Sequence, residues 1–246
     1  MSGAMMAMVN NVQAVAASVA SLVYNLDAAT YTGFSASFSG SNSLSVPNSV
    51  ALNPGTGDFT VEFWTYLTST TNNASFYRGS NSGVDIFMNG SGRLALGQAG
   101  ISTLITDSVT MTTGAWVHVA AVRISGTTRL YKNGVQVGSA GDGSNYTTST
   151  TTSIGTQGTF NITGYMSNLR VVIGLGVYTG AFTPPTSPLT VTQGAGTNIS
   201  AITAGQTQLL LNTVNGANFL VDSSTNAITI TNTGAVTSSA LNPFLL

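Results

Sequence analysis

The chain has 246 residues, enough for one large all-β domain or two small ones, and only 5% of them are charged where roughly 25% is usual. Six Lys+Arg against seven Asp+Glu give a formal net charge of −1, which leaves no basic patch to neutralise phosphates and excludes nucleic acid as a partner. The absence of cysteine and the single histidine, His118, exclude disulfides, thiolate chemistry and every multi-histidine zinc pattern.

The polar surface must therefore be built from Ser, Thr, Asn, Gln and Gly. With net charge near zero, copies of the chain repel one another little, a property that suits a repetitive assembly better than a free monomer.

The opening "MSGAMMAMVNNVQAVAASVASLVYNL" lacks the cationic n-region of a secretory signal. Asn10, Asn11 and Gln13 interrupt its apolar run, so no stretch of ~18 apolar residues is left for a membrane span. Met5, Val12 and Val19 repeat every seventh residue, each followed three residues later by Met8, Val15 and Leu22, the a/d pattern of an amphipathic helix. A helix this short is marginal alone in water. Its stripe is expected to pack on its own domain, to oligomerise the chain, or to anchor it in a larger assembly.

Beyond about residue 32 the pattern becomes short alternating strands broken by Gly, Asn, Ser and Pro clusters, as an antiparallel sandwich reads. "DFTVEFWTYL" (58–67) places Phe59, Val61, Phe63 and Leu67 on one face and Thr60, Glu62, Trp64 and Tyr66 on the other, implying a strand in the middle of a layered structure with one side packed on a second sheet. Asn133-Gly134 between two alternating runs supplies the pair of positive φ angles of a type I′ turn, predicting a hairpin of strands 127–132 and 135–139. Further strands are expected near 43–46, 84–89, 93–97, 115–124, 152–154, 164–173, 208–212 and 227–231. The prolines of "AFTPPTSPLT" (181–190) forbid a central strand, so that stretch reads as an edge segment or a linker to the last residues.

The ordered series "FSASFSGSNSLSVPNSVALNPGTGDFTVEFWTYL", "GAWVHVAAVRISGTTRLYKNGVQVG" and "GYMSNLRVVIGLGVYTGAFTPPTSPL" resembles the laminin G-like, concanavalin A-like jelly-roll domains over roughly residues 34–190. "SLVYNLDA" (21–28) is similar to the opening strand of such domains, and "QLLLNTVNGANFLVDSSTNAITITNTGAV" to the start of a following repeat. The expected fold is an all-β, two-sheet antiparallel jelly-roll sandwich with a short N-terminal helix. The expected division is a helical arm over 1–24, the sandwich over 25–190, and a β-rich extension over 191–246 that adds strands to this or a neighbouring copy.

The variant with "FTPPTSPL" is similar to versions found in phage and marine-virus structural proteins and in large bacterial surface proteins. The resemblance therefore implies a non-enzymatic virion structural or display protein: a capsid decoration, head-fibre or tail-associated protein among other virion proteins, as a homo-oligomer. The alternative is a carbohydrate-binding lectin or adhesin module, secreted or at a cell surface, for host-surface attachment. A glycoside hydrolase is a remote third reading, since glycosidic cleavage takes two carboxylates at about 5–10 Å and Glu62 is the only glutamate. Some relatives bind calcium at the rim. The candidates here are Asp107 and Asp142, without a third carboxylate near in sequence, whereas calcium takes six to eight oxygens.

Within the expected strands, Glu62, Arg123 and Arg170 are charges that need partners, and Glu62 is expected to pair with Arg123 or Arg170. His118 alternates with Trp116 on one face of "AWVHVAAVR" with no G-x-S-x-G elbow in the chain, and reads as structural instead of catalytic. The expected loops "SFYRGSNSGVD" (75–85) and "GDGSNYTTST" (141–150) combine rings, charges and amides suited to sugars, with Tyr77, Arg78, Asp142 and Tyr146 as ligand-binding candidates.

Overall fold

A computed structural model describes residues 33–71, 73–212 and 219–244. The heptad stripe of Met5, Met8, Val12, Val15, Val19 and Leu22, and the expected helical arm with it, lie outside the described residues. In chain order the strands are β1 (Ser35–Ser39), β2 (Ser43–Pro47), β3 (Phe59–Leu67), β4 (Ala74–Gly79), β5 (Val84–Met88), β6 (Arg93–Gln98), β7 (Ser102–Thr110), β8 (Trp116–Ile124) and β9 (Thr127–Lys132). They continue as β10 (Val135–Gly141), β11 (Thr151–Ile154), β12 (Thr156–Gln157), β13 (Phe160–Asn161), β14 (Thr163–Ile173), β15 (Thr207–Leu211), β16 (Thr231–Thr233) and β17 (Thr237–Ser239).

Among the described residues these strands form two antiparallel sheets and a small β12–β13 hairpin. The first sheet runs β10-β9-β8-β3-β14-β1-β17, with β15 also on β14, and the second runs β16-β2-β11-β4-β5-β6-β7. This is a jelly-roll sandwich. Alternation drives the layering: Phe59, Val61, Phe63 and Leu67 of β3 and Val117, Val119 and Ala121 of β8 point inward. They meet Phe76, Ile86, Met88, Leu94 and Leu96 of the second sheet in one apolar core.

The other face of β3 is covered too, but by chain without strands. Residues 174–203 cross the outside of the first sheet, and Val177, Tyr178, Phe182 and Ile202 pack on Ala120, Val122, Tyr131 and Val172. Tyr178 and Phe182 stack with centroids 3.6 Å apart and planes 8° off parallel. The proline-rich stretch expected along an edge or as a linker is thus a cover over a sheet face. Its few donors find single carbonyls, as when Phe182 N donates to Gly134 O at 3.0 Å, so no ladder is required.

The expected hairpin turn is present, with φ of 50° at Asn133 and 76° at Gly134. Asn133 also ties the turn to β8. Its Oδ1 accepts from His118 N and its N donates to His118 O, both at 2.8 Å. Three late strands close the sandwich within this chain: β15 pairs with β14, β16 with β2 and β17 with β1.

Several expectations need correction. The stretch 75–85, expected as a loop, holds β4 and the start of β5. A bulge between Ser75 and Tyr77 breaks the alternation of β4, so Phe76 and Tyr77 both face the core. β7 is a polar edge strand whose two bulges against β6 hide its period, and it was not expected at all. The strand expected at 227–231 begins only at Thr231.

Candidate functional site: a polar cleft on the second sheet

The outer face of the second sheet carries a row of neighbours, Ser153, Arg78, Asp85, Gly97 and Thr103, one from each of β11, β4, β5, β6 and β7. Beside it runs a second row of Ser75, Phe87, Ala95 and Thr106. Small residues keep the middle of this face low. A Cβ on Gly97 would stand 2.0 Å from the Ser102 carbonyl oxygen, so only glycine lets β7 approach this closely. The β12–β13 hairpin and Asn73 rise on one side and the 99–101 turn on the other. They enclose an open cleft of about 340 Å³ lined by Asn73, Arg78, Asp85, Phe87, Gln98, Ile101 and Gln157, with Gly100, Ser102 and Thr103. That volume lies within the range of small-ligand sites.

The floor is an ion pair. Arg78 Nη1 donates to Asp85 Oδ2, and Ser75 Oγ donates to Asp85 Oδ1 at 2.6 Å. Burial pushes the Asp85 carboxyl above the usual carboxylate range, because Ser75 and Arg78 offset its lost hydration only in part. Gln98 is held in place, its Nε2 donating to Ser82 O at 3.1 Å and Asn145 O at 2.8 Å. Two amides are not: Asn73 Oδ1 and Gln157 Oε1 are shielded from water and accept no hydrogen bond. Apolar surface frames these groups. Phe87 is half-buried at the floor, while Ile101 at one rim is 64% exposed. Phe160 is 50% exposed and directly opposite Gln157 in the hairpin, so the two side chains share a face of that ribbon.

Of the four ligand-binding candidates, only Arg78 reaches this cleft. Tyr77 is turned into the core by the β4 bulge. Tyr146 is fully buried against Phe59, with ring centroids 5.5 Å apart, and its hydroxyl donates to Asp142 Oδ2 at 2.9 Å. Asp142 also accepts from Thr128 Oγ1 at 2.6 Å and from Ser144 N at 3.0 Å. Burial opposes its charge, yet the bonds from Thr128, Ser144 and Tyr146 together hold the carboxyl below its ordinary value. Arg123 closes this cluster, donating to Asp142 O at 2.6 Å and Ser144 O at 2.8 Å. The loop reads as polar in sequence, but it folds inward as a plug at one end of the sandwich.

The calcium candidates are corrected on the same grounds. Asp107 lies within β7, not on a rim loop, and is paired with Lys132, while both Asp142 oxygens are engaged as above. Among the described residues no three of His, Cys, Asp and Glu come together as a ligand set.

Of the three charges expected to need partners within strands, Glu62 and Arg170 meet beneath the 174–203 cover, whereas Arg123 is held in the Asp142 cluster. Arg170 donates to Glu62 Oε1 from Nε at 2.9 Å and from Nη2 at 2.6 Å, and Tyr178 OH donates to Oε2 at 2.6 Å. His118 Nε2 lies 3.2 Å from Glu62 Oε2, and since a carboxylate only accepts, Nε2 carries the proton. Burial alone would raise the Glu62 carboxyl; the Arg170 guanidinium foremost, with His118 and Tyr178, holds it at about 2. Glu62, His118 and Arg170 are wholly buried, which suits a structural network and offers no path to a substrate. Trp116 is half-buried on the same outer face, edge-on to Tyr66.

The family model described as the concanavalin A-like lectin/glucanases superfamily, of laminin G type, matches residues 38–173, and the chain belongs to that superfamily. A solved structure of a Bacteroides ovatus protein proposed to bind carbohydrate superposes with a TM-score of 0.60 at 16% identity, covering 86% of this chain and 60% of its own. This chain thus spans 60% of the length of that protein, and the likeness is one of fold. Domain 4 of an extracellular GH43 arabinanase from Geobacillus stearothermophilus, solved in complex with arabinotriose, aligns with a TM-score of 0.45 at 18% identity over 56% of this chain and 69% of its own. A heptameric SAP-like pentraxin from Limulus polyphemus aligns with a TM-score of 0.44 at 20% identity over 62% of this chain and 79% of its own. Among curated proteins, none matches the chain.

Proposed function

We propose that the protein is a carbohydrate-binding module that holds glycan in the cleft on the outer face of its second sheet. The observation that carries this reading is the cleft itself: a half-buried ring, Phe87, beside an ion-paired floor and two amide oxygens without partners. Few, fixed polar groups around apolar surface suit a sugar, whose ring has C–H faces and a hydroxyl edge. The shared fold with the Bacteroides ovatus protein supports the same ligand class.

Binding without cleavage follows from the carboxylates. Among the described residues Asp85 is the one acid lining the cleft, whereas glycosidic hydrolysis uses two flanking the bond. Glu62, the only glutamate, is enclosed on the opposite sheet. This reading goes with a secreted or cell-surface setting, where glycans are met. Among the described residues no helix is long and apolar enough to cross a membrane. The virion display role draws on the sequence resemblance alone, and the fold and cleft favour the carbohydrate-binding alternative.

The test is calorimetric titration of oligosaccharides into the wild type and Phe87→Ala. Removing the ring is expected to cost about 1.5 kcal/mol, roughly tenfold in Kd. Undiminished binding by a folded Phe87→Ala variant would move the site elsewhere.

A further inference from the structure

We propose that the cleft selects neutral, hydroxyl-rich glycans and rejects acidic ones, a selectivity that rests on the carbohydrate reading above. The first ground is charge. Among the described residues, Arg78 and Asp85 are the only charged ones lining the cleft, and they are bonded to each other. Asp85 meets Arg78 through Nη1 alone, so a uronate, sialate or sulfate ester that took the remaining N–H groups of Arg78 would share its one positive charge with Asp85. Because the Asp85 side chain is only 5% exposed, that sharing places a second anion beside a carboxylate already short of hydration.

The second ground is the pair of unpartnered amide oxygens. Asn73 Oδ1 and Gln157 Oε1 are acceptors, and an acceptor is satisfied by a hydroxyl or an N–H but never by an anionic oxygen. Neither breaks an existing bond by turning toward the cleft, and the terminal amide torsion is soft. Buried polar atoms left unsatisfied are rare in folded proteins and costly, so a ligand hydroxyl that donates to each recovers that cost on binding. The third ground is the apolar frame of Phe87 and Ile101, which offers C–H contact and no charge.

The experiment compares two sets of probes on the full chain by calorimetry. The neutral set is arabinan, xylan, galactan and mannan oligosaccharides; the acidic set is oligogalacturonate, sialyllactose and sulfated galactan oligosaccharides. The expected result is a neutral binder at least about tenfold tighter than any acidic probe. Asn73→Ala and Gln157→Ala are each expected to weaken that binder by about three- to tenfold, the range of one hydrogen bond. Their melting temperatures should hold or rise, since each removes an unsatisfied polar group; a purely structural role for these amides would lower stability and leave binding alone. Asp85→Asn keeps an acceptor for Ser75 while releasing Arg78, and is expected to raise affinity for the acidic probes by about tenfold. Tighter binding of an acidic probe by the wild type, lost in Arg78→Gln, overturns the selectivity but keeps the carbohydrate reading. Binding to neither set overturns the carbohydrate reading itself.

Discussion

Glu62 sits at the crossing of three strands and one covering segment, and its neighbours explain why a lone glutamate tolerates full burial. Arg170 neutralises it, while Tyr178 and His118 fill the second oxygen. Replacing it by Gln leaves Arg170 charged in a dry site, and breaking such a pair costs about 3–5 kcal/mol. Urea unfolding of Glu62→Gln at neutral pH should show a loss of that order. The pH dependence has a fixed sign. The folded-state value of about 2 lies below the ordinary 4.5, so the ionised carboxylate stabilises the fold above about pH 4.5, and that stability is lost as pH falls toward 2. Acid unfolding of Glu62→Gln should lack this component. The pairing was legible in sequence because charges inside strands need partners and few were present. The choice of Arg170 over Arg123 was not, since it depends on a bulge between Ser167 and Arg170 that brings Arg170 opposite Glu62.

Elements are joined here at contacts that local pattern does not report. The β9–β10 turn was legible because Asn-Gly supplies its own backbone chemistry, whereas its role as the dock for the 174–203 cover was not. A Cβ on Gly134 would lie 1.8 Å from the Phe182 carbonyl oxygen, while one on Gly100 meets open space at a nearly equal φ. Gly100→Ala is therefore expected to cost only the left-handed strain of about 1–2 kcal/mol. Gly134→Ala adds a clash that displaces the cover, and its melting temperature should fall clearly further; equal shifts in the two variants would refute the docking role. β4 escaped notice because its bulge puts Phe76 and Tyr77 on the same side, erasing the period of two. The loop 141–150 misled for another reason. Its Tyr146 and Asp142 look like a sugar platform in sequence, and their burial depends on Arg123 and Thr128, which lie earlier in the chain.

At the scale of the molecule, the sandwich is completed by its own carboxy-terminal strands, which enter both sheets. Leu209, Leu211 and Val236 join the main core from β15 and from just before β17. Each buried side chain of this size contributes about 1.5–3 kcal/mol, and the whole fold is stable by roughly 5–15 kcal/mol. A chain ended at Ser200 is therefore expected to lose cooperative unfolding by circular dichroism or to aggregate, and a truncated protein as stable as the full chain would show that these strands are dispensable. The sandwich class was legible from strand spacing and turn chemistry. The cleft was not, because its walls come from four strands, a turn and a hairpin that meet only after folding, and no short motif records that meeting. The most direct measurement is an amide NMR titration of the full chain with the neutral oligosaccharides, read at backbone and side-chain N–H groups. Shifts concentrated at Asn73, Arg78, Gln98, Ser102 and Gln157 are expected; shifts confined to the first sheet or to its 174–203 cover would contradict a glycan site on the second sheet.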